Sequence, residues 1–204
     1  MTRLTRAALA AATAVALIAL TDAVTHGLTG EFSVFADGGP AWAYYVSTVA
    51  HGLLYALLTA VLVVNGHRID DGRGAVRWVR RVLVALLVML AVPFLLGVVV
   101  TTEDAPAWLL GLTTAGFVAS FPVSTVLGIL LLRRPGRRLP AVLLAAVGGG
   151  LVLTLLLGAL GSDFAHPAYA EVLQFFGVAL LGRAVSPARE ASPSSGRYSF
   201  VTGE

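Results

Sequence analysis

Long apolar runs alternate with short polar breaks along most of the chain. A helix needs about 20 residues to cross a hydrocarbon core of about 30 Å. Six runs reach that length or approach it: Ala7–Leu28, Trp42–Val64, Val79–Val100, Ala107–Leu132, Leu139–Leu160 and Pro167–Val185. The breaks between them collect Gly, Pro and charge: Gly38-Gly39-Pro40, Gly66–Arg77, Thr101–Pro106, Arg133–Arg138 and Gly161–His166. No segment shows the two-residue alternation of a half-buried strand. The pattern predicts an all-α, polytopic transmembrane helix bundle of six spans within residues 1–185. Residues 186–204 are rich in Ser, Pro, Gly and Ala. Such a segment cannot bury a core and is expected to be a disordered tail.

Arginine placement predicts the orientation. All 14 basic residues are Arg, and none is Lys. They fall before span one, between spans two and three, between spans four and five, and after the core of span six. The remaining three connectors hold no basic residue. Cytoplasmic loops carry the excess of basic residues, so both termini are expected in the cytoplasm. A second reading concerns the start of the chain. Arg3 and Arg6, the run Ala7–Leu20 and the small residue Ala23 also resemble a signal peptide, which would leave five spans.

Composition narrows the classes further. Only 12% of residues are charged, against about a quarter in a soluble domain. A water-soluble fold of 204 residues could not hide 57% hydrophobic residues. The absence of cysteine excludes disulfides, thiolate metal sites and cysteine nucleophiles. The net charge of +3 is accounted for by loop arginines, so a nucleic-acid partner is not expected. Arg without Lys, with abundant Ala, Leu, Val and Gly, points to a GC-rich bacterial genome and hence to the bacterial inner membrane. The expected partners are the lipid bilayer and either a second copy of the chain or a larger membrane complex.

Polar residues inside the spans carry the candidate chemistry, because ionisable groups there are costly and face the bundle interior. In span one, Ala8, Ala12, Ala16, Ala19 and Ala23 share one helical sector, and small residues let helices approach closely. Asp22 and His26 lie on or beside that sector, four residues apart, a spacing at which side chains meet. In span two, Tyr44, Ser47, Thr48, His51, Tyr55 and Thr59 form a polar stripe. Span four adds Thr113, Ser120 and Ser124, and span six adds Glu171 and Gln174. Pro93 and Pro122 are expected to kink their helices or free a carbonyl. The Gly148-Gly149-Gly150 run reads as a close-packing surface.

These positions predict a polar pocket in the outer half of the bundle. Its candidates are Asp22, His26, Ser47, His51, Tyr55, Ser120, Glu171 and Gln174, with Asp22, His26 and His51 at the centre. An Asp–His pair can exchange a proton near neutral pH, so proton-coupled or small-solute transport is the leading expectation. The absence of an internal repeat weighs against it. A scaffold or accessory subunit is the second reading, since intramembrane Ser, Thr and His often serve only helix packing. A metal-dependent hydrolase is the third, with His26, His51, His166 and Asp163 as candidate ligands of a zinc ion. No paired-histidine zinc motif occurs, so no metal or other cofactor is expected. A bis-histidine haem is disfavoured by the different depths of His26 and His51. His67 reads as surface, and Arg80 and Arg81 as topology determinants that snorkel.

Overall fold

The computed structural model describes residues 1–36, 39–97 and 106–183. Asp37, Glu103, Asp104, the end of the third span and the tail 186–204 lie outside the described residues. Every regular element among the described residues is a helix: α1 Arg3–Thr29, α2 Ala41–Val64, α3 Gly66–Asp70, α4 Gly74–Leu96, α5 Ala107–Leu131, α6 Arg138–Ala159 and α7 Ala168–Leu181.

The helices α1 and α4 begin four and five residues before their apolar runs, and α2 and α6 one residue before theirs. Hydropathy reports where lipid touches the chain, whereas the backbone ladder continues into the polar flank. The connector 66–77 likewise contains a short helix, α3. Proline marks three helix starts: Pro40, Pro106 and Pro167 are the N-caps of α2, α5 and α7. Proline's fixed φ suits a helix entry, and its missing N–H costs nothing there. At the far end of α1, Gly30 takes φ 74° and its N–H closes on the His26 carbonyl at 2.8 Å. Pro93 and Pro122 lie inside α4 and α5, and both helices continue through them.

Five helices, α1, α2, α4, α5 and α6, are long and apolar enough to cross a bilayer. The architecture is that of a multi-pass membrane protein. The sixth apolar segment is shorter than the sequence pattern implies. As α7 it has 14 residues, or about 21 Å at the helical rise.

Neighbouring helices pack as a ring in the order α1, α2, α4, α5, α6, α7 and back to α1. The short helix α7 also touches α2 and α5, so it leans into the ring. It is buried on most of its circumference, through Ala170, Glu171, Gln174, Phe175, Val178 and Ala179. The core around it is leucine from α2, α4 and α5 with Tyr55 and Phe175. Outward faces are apolar too: Leu17 is 63% exposed, Trp78 71% and Leu155 63%. Such faces suit acyl chains rather than water.

Small residues set the tight contacts. The five alanines of the α1 sector are all buried. Gly128 of α5 lies against the α6 backbone at Leu144 and Ala145, with no room for a methyl group. Of the Gly148–Gly150 run, two members pack. A methyl group at Gly150 would sit 3.1 Å from Ala170 Cα, and one at Gly148 3.0 Å from Thr125 Cγ2, whereas Gly149 faces open space.

Candidate functional site

The arginine-bearing ends of the helices meet at one end of the bundle. Thr5 Oγ1, at the start of α1, donates to the Gly182 carbonyl after α7 at 2.9 Å. Arg137, before α6, donates to the Leu181 carbonyl at 3.4 Å and to the Arg68 carbonyl at 3.0 Å. Arg134 pairs with Asp71. Burial, with the neighbouring charges of Arg134 and Arg68, pushes the Arg137 pKa below its ordinary value. Arg80 grips Asp70 with both arms, Nε to Oδ1 at 2.7 Å and Nη2 to Oδ2 at 2.8 Å, and its Nη1 reaches the Leu62 carbonyl at 3.2 Å. Arg80 is therefore bound to a carboxylate rather than snorkelling freely.

The opposite end holds a different polar group. Asp22 is near the end of α1. Its Oδ1 accepts from the Ser33 backbone N–H at 2.7 Å, and its Oδ2 lies 3.2 Å from His166 Nε2. His166 ends the α6–α7 connector, and its Nδ1 accepts the Ala168 N–H at 3.2 Å. With Nδ1 used as an acceptor, the ring proton belongs on Nε2, facing Asp22. His26 does not bond Asp22. Its Nδ1–H donates to the Asp163 carbonyl at 2.6 Å, and its ring stacks on Phe32 with centroids 4.5 Å apart. Two connectors are thus tied to α1 through residues one helical turn apart.

Burial pushes the His166 pKa below the ordinary histidine value. The adjacent Asp22 charge opposes that shift, and His26 adds to it.

The interior holds two further polar groups, both on α7. Glu171 is buried, 7% exposed, and its carboxyl faces the hydroxyl of Tyr55, which is 1% exposed on α2. Gln174, one turn on, joins α7 to α5. Its Nε2 donates to Ser124 Oγ at 2.9 Å and to the Ser120 carbonyl at 3.3 Å, and Ser120 Oγ donates to Gln174 Oε1 at 3.4 Å. The packing of α7 among other helices is what admits a carboxyl and an amide to the apolar layer, since neither faces lipid.

The candidate residues therefore form three groups rather than one central cluster. Asp22 and His26 sit at the open end, where His166 and Asp163 join them. Tyr55 faces Glu171. Ser120 and Gln174 form the third group with Ser124. His51 stands apart from Asp22 and His26. Its Nδ1–H bonds the Ser47 carbonyl of its own helix at 2.8 Å, and its ring stacks on Phe94 at 5.4 Å. Ser47 Oγ lies 3.5 Å from the same nitrogen. Among the described residues no three His, Asp or Glu side chains gather as a metal-binding set.

Sequence reasoning paired Asp22 with His26 because they share a helix. The structure pairs it with His166, 144 residues away. Only the docking of α7 on α1 creates that pair. Asp70 was missed as the partner of Arg80. The adjacent acids Asp70 and Asp71, set among basic residues in a connector, were the available signal. Thr59 Oγ1 is buried with no hydrogen-bond partner, one turn beyond Tyr55 on the polar stripe of α2.

Comparisons with family models, with curated proteins and with solved structures find no match to this chain. Its function has to be read from the residues themselves.

Proposed function

We propose that the chain is a six-span membrane protein of the bacterial inner membrane that moves protons, alone or coupled to a small solute. In this reading α7 completes the sixth crossing, and the arginine end and both termini face the cytoplasm, following the positive-inside rule. The outer polar group, Asp22 with His166 and His26, is the point of proton entry. Glu171 with Tyr55 is the inner station. His166 precedes Glu171 by five residues, two before α7 begins.

The observation that carries the reading is the burial of Glu171 on a helix shielded from lipid. A carboxyl within a bundle is costly, and such groups mark proton relays and ion pathways. A helix held only by packing would gain more from Leu or Ala at that position. Tyr55 and the unpartnered Thr59 hydroxyl line the same side of α2.

Charge displacement in proteoliposomes on a solid support tests it. A pH jump across the wild-type protein should give a transient current. Glu171→Gln, which keeps the shape and removes the titrating group, should abolish the current while the melting temperature holds. A folded wild-type protein that gives no current, or a Glu171→Gln variant that gives the wild-type one, would end this reading.

A second reading, a scaffold or accessory subunit, draws on the local bonding of many span polar groups. Thr13, Thr113 and Thr125 each donate to a carbonyl four residues back in their own helix. His51 does the same. A scaffold would tolerate Asp22→Asn and Glu171→Gln together, with its partner complex intact. The metal-dependent hydrolase reading gains no support from the dispersed positions of His51 and His166.

A further inference from the structure

An apolar groove of about 310 Å³ runs between α4 and α5, lined by Trp78, Val79, Val82, Pro122, Val123 and Val126. Its volume reaches the lower bound of ligand sites, about 300 Å³, yet nothing polar lines it. The groove lies toward the arginine end. Trp78 is in the second turn of α4, and Val126 is five residues before the end of α5. The other two tryptophans, Trp42 and Trp108, sit in the first turns of α2 and α5, at the opposite end.

The charge beside the groove is specific. Arg133 lies two residues past the end of α5, seven after Val126, in the turn at the arginine end of the groove. It is exposed. Arg81 follows Trp78 by three residues, on an adjacent turn of α4, and is exposed as well. Neighbouring arginines are engaged: Arg80 and Arg77 with Asp70, and Arg134 with Asp71. Among the described residues no carboxylate pairs with Arg81 or Arg133.

The geometry points to a binding site for an anionic phospholipid, with one acyl chain in the α4–α5 groove and the headgroup phosphate held by Arg81 and Arg133. Basic residues at the end of an interhelical cleft are the chemistry that selects such headgroups. An acyl chain fits a slot with purely apolar walls, and a tryptophan at its rim suits the lipid interface. A zwitterionic lipid could fill the slot, but it would leave both guanidiniums without a net counter-charge. The site is independent of the proton reading, which uses α1, α2 and α7.

Trp78 reports on its own groove. In a Trp42→Phe/Trp108→Phe background it is the sole tryptophan. The protein is reconstituted with phosphatidylglycerol or phosphatidylcholine brominated on the acyl chain, at equal mole fraction in an unlabelled zwitterionic bilayer. Quenching should favour brominated phosphatidylglycerol, and salt should erase the preference. Arg81→Gln and Arg133→Gln should each lower it about fivefold, the effect of one basic residue near an anionic surface. Equal quenching by the two lipids would overturn the proposal, leaving an ordinary lipid-facing cleft. Trp78 shielded from both lipids in a dimeric protein would overturn it too, because a second copy would then fill the groove. Native mass spectrometry of the unaltered protein gives a second reading, independent of the substitutions. Phosphatidylglycerol should remain bound after detergent release where phosphatidylcholine is lost, and equal loss of both would count against the site.

Discussion

His166 Nε2 lies 3.2 Å from Asp22 Oδ2, and that contact fastens the entry of α7 to the end of α1. Each partner has a second task. Asp22 Oδ1 holds the Ser33 N–H at 2.7 Å, and His166 Nδ1 holds the Ala168 N–H at 3.2 Å, in the first turn of α7. The pair therefore organises the α1–α2 and α6–α7 connectors at this end of the bundle.

Removing the carboxylate should loosen both. Asp22→Ala leaves the Ser33 N–H and the His166 Nε2–H unpaired in a largely buried setting, a loss of about 1–3 kcal/mol. Asp22→Asn keeps an acceptor and should lose less. Thermal unfolding in detergent checks the order: wild type above Asp22→Asn, and Asp22→Asn above Asp22→Ala.

The same pair makes stability depend on pH. Burial holds the folded pKa of His166 below the ordinary value of 6.5, against the opposing pull of Asp22. As pH falls, the unfolded chain takes up its proton first. The stability from neutral His166 is full above about 6.5 and is lost as pH drops through the lower, folded value. Protonation also fills Nδ1, releases the Ala168 N–H and sets a positive charge at a helix N-terminus, where it is disfavoured. Melting temperatures from pH 8 down to pH 5 should fall more steeply for the wild type than for His166→Gln. Parallel curves would refute this account of the contact.

At the arginine end, Arg80 and Asp70 are 11% and 7% exposed in their side chains. Breaking such a pair on one side strands a buried charge and costs about 3–5 kcal/mol. Asp70→Asn and Arg80→Met should each be strongly destabilising. The double variant Asp70→Leu/Arg80→Met should recover much of the loss, since apolar replacement of a buried pair is often neutral. Arg80→Lys should behave more like Arg80→Met than like wild type, because lysine cannot reproduce the two-armed grip. Guanidinium denaturation in mixed micelles, read by tryptophan fluorescence, gives the comparison.

The α5–α6 contact offers a purely steric test. A methyl group at Gly128 would run into the α6 backbone, which cannot swing away as a side chain can. Gly128→Ala should destabilise by about 1–3 kcal/mol, the range for overpacking. Gly149→Ala, four residues beyond Ala145 on α6, meets nothing within 4 Å and should be neutral or slightly stabilising. Similar losses from the two substitutions would contradict a steric effect specific to Gly128, because helix propensity alone favours alanine at both positions.

Much of this architecture was legible in the sequence, because lipid enforces it. Apolar runs must be helical to satisfy their own backbone, so five long helices follow from hydropathy alone. The alanine sector of α1 was legible for a related reason: period and residue size together define a packing face. The site was less legible. Glu171 and Gln174 stood out as polar residues in a span, but their partners lie on other helices. Which of Tyr55, Ser120 and Ser124 each would meet depends on the rotation and depth of α7, which periodicity does not fix. The stripe on α2 suggested that His51 faced the pocket, yet its Nδ1–H finds the Ser47 carbonyl at 2.8 Å without leaving its own helix. Local bonds of that kind compete with distant ones and carry no mark in the sequence.

The claim beneath all of this is that the chain threads a bilayer with its arginine end in the cytoplasm. The chain has no cysteine, so single introduced cysteines report sidedness without background. Asp163→Cys marks the α6–α7 connector, and Pro135→Cys marks the α5–α6 turn. A membrane-impermeant maleimide applied to intact cells should label Asp163→Cys at once and Pro135→Cys only after lysis. Labelling of Pro135→Cys in intact cells, or of both positions alike, would contradict the account.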